Sequence, residues 1–379
     1  MTNSLLANSS LPRFEHIEPA HIFPAVEHVL GEYRQTVENI LAANSHYTWD
    51  NLCQPLEEAS DKLSRVWSPV SHLHSVKNSP ELREAYEQCL PLLSEFSTWM
   101  GQHEPLYQAY KSLKEDAGFN QLSQAQRKSI ENTLRDFELS GIGLPAEKQQ
   151  RYGEIVARLS EIASKFGNNV LDSTMGWSKL IKDESELAGM PESAIAAAKA
   201  MAESKGEEGY LLTLDMPSYL PVMTYADNAE LRREMSYAYS TRASDQGPNA
   251  GKWDNSELID ELMALRHELA QLLGFKNFAE KSLATKMAES PEQVLGFLND
   301  LANRAHQQGK EELAELTAFA KENYGVETLE SWDLAYYSEK QKQHKFSLND
   351  EQLRPYFPEQ RVLNGLFEVV HRIYGLTAK

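Results

Sequence analysis

A chain of 379 residues, 41% of them hydrophobic, has material for two or three cores of about 150 residues each and needs no covalent or metal staple to fold. Its 37 Lys and Arg stand against 56 Asp and Glu, a net charge of −19 that excludes the basic footprint of a nucleic-acid binder. Two cysteines, Cys53 and Cys89, make no disulfide framework and fit a reducing compartment, and no run of about 18 apolar residues offers a membrane span, so a cytoplasmic location is expected.

The first stretch, Met1 to Phe14, has no basic region and only Leu5-Leu6 as an apolar pair, and is expected to be neither leader nor anchor. Its Asn8-Ser9-Ser10 sequon has no consequence in a cytosolic chain. From Glu18 to Ala43 the residues Ile22, Val26, Val29, Leu30, Tyr33, Val37 and Leu41 recur at threes and fours, predicting an amphipathic helix with Pro19 in its first turn. Thr48 to Val76 reads as a second helix interrupted near Pro69. Ser79-Pro80 begins a third, with Ser79 as cap and Leu90, Leu93, Phe96 and Met100 on its face.

Ser123 to Leu139 is a further helix, closed by Ser140-Gly141, where glycine takes the left-handed cap conformation. Ala146 to Val170 follows with Ile155, Leu159, Ile162 and Phe166 on one side. Short connections between such helices predict antiparallel stacking. The period then changes: Trp177 to Ile181 and Tyr210 to Leu214 read as strands around the alanine-rich helix Ser193 to Glu203, which places a small β element near residues 177–224. Helices resume at Asn228 to Arg242, Asn255 to Leu273, Pro291 to Tyr324, around Trp332, and at Val362 to Tyr374.

The stretch from Trp332 to Phe357 gathers Trp332, Tyr336 and Tyr337 on a helix whose other faces carry Glu339, Lys340, Lys342 and Lys345. Rings with one polar handle each suit a wall that is half packed and half offered to a ligand. The bland reading is ordinary core, since rings four apart on a helix usually face the interior.

The run Trp332-Asp333 with Tyr336-Tyr337, then Leu353-Arg354-Pro355-Tyr356-Phe357-Pro358, Gly365-Leu366-Phe367 and Tyr374-Gly375, resembles the thimet oligopeptidase family of zinc metallopeptidases, most nearly its bacterial oligopeptidase A branch. The likeness extends to Leu139 through Pro145, to Phe166 with Asn168 through Asp172, and to Leu272-Leu273-Gly274-Phe275 followed by Lys286-Met287-Ala288, so it spans the chain. It implies a two-lobed, mainly α architecture enclosing a narrow channel for short unstructured peptides. It also implies a zinc on a His-Glu-x-x-His helix, whose glutamate serves as general base toward a zinc-activated water. That motif is absent from these residues. On this resemblance the chain is expected to be the N-terminal part of such a peptidase, ending before the zinc helix. Residues 1–224 would form an N-terminal helical domain including the small sheet, and 225–379 the first part of the catalytic domain.

The nearest internal pattern is His267-Glu268-Leu269-Ala270-Gln271, in which Gln271, a poor zinc donor, occupies the second ligand position. His72 and His74 are two apart, which separates them on a helix. Gly247-Pro248-Asn249-Ala250-Gly251-Lys252-Trp253 imitates a phosphate loop but is one residue short and follows a helix. No metal ligand and no catalytic residue is therefore nominated, and no bound cofactor is expected; Trp332, Tyr336 and Tyr337 are the substrate-channel candidates. Expected partners are short peptides and a missing catalytic part, with neither nucleic acid nor membrane. The alternative is a non-enzymatic helical peptide-binding or scaffold module, and a His-Glu-x-x-His in the sequence after Lys379 would separate the two.

Overall fold

The computed structural model describes residues 3–7, 9 and 11–378, so Asn8 and Ser10 of the sequon lie outside the described residues. The fold is mainly α. In chain order the helices are α1 (Pro19–Ala43), α2 (Gln54–Val76), α3 (Pro80–Gly101), α4 (Glu104–Glu115), α5 (Gln124–Leu139) and α6 (Ala146–Met175). After strand β1 (Ser178–Ile181) come α7 (Glu192–Ser204), β2 (Tyr210–Thr213), α8 (Met216–Tyr225), α9 (Ala229–Ser240) and α10 (Ser256–Leu272). The series closes with α11 (Phe278–Leu283), α12 (Pro291–Tyr324), α13 (Leu334–Phe346), α14 (Asp350–Leu353) and α15 (Glu359–Tyr374). No described helix is long and apolar enough to cross a membrane.

Two compact units divide the chain. One comprises Met1–Gly167 with Glu257–Pro291, the other Asn168–Ser256 with Glu292–Lys379. In the first unit α1 packs on α2 and α3, and α4 on α5. Ile22, Val26, Val29, Val37, Leu52, Val70, Cys89, Leu106 and Ile130 fill its core. Pro19 opens α1 where its missing N–H costs nothing, and the Glu18 N–H donates to His21 Nδ1 at 3.3 Å. Ser79 caps α3 through Leu82 N–H, and Gly141 after α5 takes φ +81°, which a residue with a Cβ resists.

Pro69 does not interrupt α2, which runs unbroken from Gln54 to Val76. The lost hydrogen bond and the ring's clash with the preceding turn cost about 3 kcal/mol in an exposed helix; here the ring is itself buried, and its packing offsets that cost. The irregularity falls earlier, in a π-helical turn at Trp49–Cys53 capped by Thr48. Glu104–Glu115, without an element in the sequence reading, is a helix that buries Leu106, Ala109, Tyr110 and Leu113, the positions of one face.

In the second unit β1 and β2 form an antiparallel pair with Ser178 opposite Thr213 and Ile181 opposite Tyr210. Gly209, entering β2 at φ +126°, allows this: a Cβ there would sit 2.4 Å from the carbonyl oxygen of Ile181. Helix α7 lies against β2, and α8 packs on α9 and α13. The core is Trp177, Ile181, Leu187, Leu212, Leu214, Val222, Leu231 and Met235, with Trp332 half-buried against it. A smaller cluster joins Leu316 and Ala320 of α12 to Tyr336 and Tyr337 of α13.

Candidate functional site

Tyr336 and Tyr337 fall in the first turn of α13, whereas Trp332, expected on the same helix, lies in the turn that precedes it, and a buried ion pair organises the group. Arg232 of α9 is 1% exposed, on the same helical side as the core residue Met235. Its Nη2 donates to Asp333 Oδ1 at 2.6 Å and its Nη1 to the carbonyl of Ala226 at 2.6 Å. The guanidinium lies 4.1 Å from the centroid of the Tyr336 ring. Arg232 Nε is buried without a partner among the described residues.

Tyr336 and Tyr337 are buried, their rings edge-on at 4.9 Å. The Tyr336 hydroxyl donates to Asp227 Oδ1 at 2.7 Å, which Lys340 Nζ also approaches at 3.3 Å. Burial, and then the hydrogen bond it donates to the Asp227 carboxylate, hold this phenol far above the ordinary tyrosine range, so it stays a donor. Tyr337 meets the ring of Tyr324 edge-on at 5.4 Å, and burial raises its phenol too. The sequence reading named the aromatics but missed Arg232 and Asp227. Spacing puts Arg232 on an apolar face without revealing that Asp333, about a hundred residues on, neutralises it.

Further along α13, Glu339, Lys340 and Gln343 line a cavity of about 580 Å³ together with Gly189, Ser193, Thr224 and Asn349. Glu339, 7% exposed, is tied to Lys342 Nζ at 3.0 Å and accepts from Gln343 Nε2 at 2.9 Å.

The residues at the His267 pattern are occupied otherwise. Arg151 grips Glu268 with two parallel hydrogen bonds, Nε to Oε1 at 2.7 Å and Nη2 to Oε2 at 2.8 Å. Gln271 Nε2 donates to the carbonyls of Phe275 and Lys276, at 3.1 and 2.8 Å, closing the loop after α10. His74 stacks on Tyr86 at 4.1 Å and His72 packs on Phe14. His103 caps α4 through Leu106 N–H, with Nε2 3.2 Å from Glu38 Oε1. Lys252 in the phosphate-loop imitation lies over the ring of Trp253, 4.1 Å from its centroid. Cys53 and Cys89 are buried, which pushes their thiols up to about 12 and about 11 and keeps them unreactive.

Among the described residues no three His, Cys, Asp or Glu side chains converge as a metal would require. The zinc implied by the resemblance does not fit the residues present: the His267-Glu268 pattern offers a committed carboxylate and, at Gln271, an amide already donating to the backbone.

A family model described as the neurolysin/thimet oligopeptidase N-terminal domain matches residues 26–149, and one for peptidase family M3 matches residues 222–379. Oligopeptidase A of Salmonella typhimurium is 68% identical over all of this chain, which covers 56% of that protein. Oligopeptidase A of Escherichia coli matches to the same extent, 68% identity and 56% coverage. A dipeptidyl carboxypeptidase of Escherichia coli is 26% identical over 99% of this chain and 55% of its own length. The chain thus spans a little over half the length of these curated relatives. With one family model on each half of the sequence and high identity running through both, the chain belongs to peptidase family M3.

Proposed function

We propose that these 379 residues are the substrate-enclosing part of a cytosolic zinc oligopeptidase that hydrolyses short unstructured peptides inside a narrow channel. The observation that carries this is the 68% identity to oligopeptidase A sustained over the whole chain. In this reading the partners are short peptides and a further catalytic part, and zinc is held by groups outside these residues. The commitments of Glu268 and Gln271 support an inactive chain when it stands alone. The family matches at 26–149 and 222–379 support a boundary near 224, with a helical N-terminal domain before it and the first part of the peptidase domain after it.

Trp332, Tyr336 and Tyr337 belong to the channel wall in this reading. The two tyrosines fix α13 so that Glu339, Lys340 and Gln343 of the same helix reach an open cavity. The test is a fusion of this chain to the remaining part of the Salmonella relative, assayed on a quenched-fluorescent peptide of about ten residues. Zinc-dependent hydrolysis is expected of the fusion and none of the chain alone. A folded, zinc-loaded fusion without activity would leave the helical binding module as the better account.

A further inference from the structure

The second unit holds an apolar cavity of about 460 Å³ between α7, β2 and the start of α8. Its walls are Met190, Ala194, Ala197, Ala198, Met201 and Leu212, and its polar edge is Thr213, Asp215 and Ser218. The hollow has a sequence cause. Ala194, Ala197, Ala198 and Met201 recur at threes and fours along one side of α7, and three methyl groups there leave space that interiors normally fill with larger side chains. The two methionines are adaptable at their ends. Exposed apolar residues extend the surface nearby: Met201 at 40%, Met216 at 46% and Leu220 at 49%.

One charged group stands at this cavity. Asp215 occupies the cap position of α8 but makes no side-chain cap hydrogen bond; its Oδ2 accepts from Thr213 Oγ1 at 3.1 Å. Ser218 Oγ instead accepts from Thr213 N–H at 2.9 Å. An exposed carboxylate with acceptor capacity to spare, at the edge of a pocket otherwise lined by Met, Ala and Leu, matches a ligand with an apolar body and one ammonium. The volume lies within the range of small-ligand sites, roughly 300–1,000 Å³.

We infer that this cavity binds a small apolar amine, and that its source is the N-terminal residue of a short peptide, the side chain entering between Met190 and Met201 and the ammonium meeting Asp215. Assigning the amine to a peptide rests on the peptidase reading above; the site itself does not involve the peptidase chemistry. The whole chain, with labelled methionine methyls, is titrated by NMR with leucinamide, N-acetyl-leucinamide, Leu-Gly-Gly and isopentylamine. Leucinamide is expected to shift Met190 and Met201 saturably and to bind at least about tenfold more tightly than its acetylated form, which has no charge for Asp215. Asp215→Asn keeps a good cap residue and should level the two.

Ala197→Leu, at an exposed position, should block the pocket while melting stays unchanged. Tighter binding of Leu-Gly-Gly than of isopentylamine supports peptide N-termini as the source, and equal binding supports free amines. The site is overturned if no amine shifts Met190 or Met201 saturably, if the acetylated compound binds equally well, or if Ala197→Leu leaves binding intact. Because the readout is binding, an inactive fusion that leaves leucinamide binding unchanged would count against the peptidase reading alone.

Discussion

At the scale of single residues, the Arg232–Asp333 pair holds the start of α13 to α9, with side chains 1% and 10% exposed. Removing one partner strands a buried charge, so Arg232→Met should destabilise the chain by about 3–5 kcal/mol, and Arg232→Met with Asp333→Leu by less than the sum of the single changes. Urea unfolding of the three variants measures this. Tyr336→Phe deletes the donor to Asp227 while keeping the ring and should cost about 1 kcal/mol in the same assay. In an active fusion, Tyr337→Phe separates the two roles of the aromatic group: a residue touching the peptide lowers kcat/KM, whereas a packed one changes only melting. Sequence spacing located the tyrosines and disqualified Gln271, because both follow from residue type and local geometry. It could not find Arg232 or Asp227, whose significance lies in partners distant in sequence.

At the scale of elements, α6 and α10 are joined by two fork-shaped ion pairs. Arg151 takes Glu268, and one heptad along Arg158 takes Glu261 with bonds of 2.6 and 2.8 Å. The arginine partners hold both carboxyls below the usual glutamate range. A lowered folded pKa gives stability that is present above the unfolded value and lost as pH falls through the folded one. Melting should therefore hold down to the ordinary glutamate value of about 4.3 and fall as pH drops below it, and Glu261→Gln with Glu268→Gln should remove part of that fall. These side chains remain about 40% exposed, so salt should weaken the pairs as well. Gly209→Ala should unfold more easily than the parent by about 1–3 kcal/mol, because its Cβ would meet the Ile181 carbonyl in a left-handed backbone. Helices with a clean stripe, such as α1, were legible in the sequence, and so were both strands. Pro69 escapes the rule for exposed helices because the core covers its ring, and the stripe of α4 stands in the sequence at Leu106, Ala109, Tyr110 and Leu113.

At the scale of the whole molecule, α15 turns Val362, Leu366, Phe367 and Ile373 outward, each 47% exposed or more. Contiguous apolar surface of this kind favours association. The chain should bind a hydrophobic dye and self-associate in sedimentation, and Leu366→Glu with Ile373→Glu should reduce both. Fold class and family were readable because helical period and ordered motifs run the length of the sequence. The apolar cavity beside β2 was not, since an alanine-rich helix reads the same whether its small face is packed or hollow. The central claim, that this is part of a family M3 peptidase whose metal donors lie elsewhere, is tested most directly by the zinc content of the purified chain after dialysis. The account predicts far less than one zinc per chain, unchanged by His267→Ala; one tightly held zinc that disappears in that variant would contradict it.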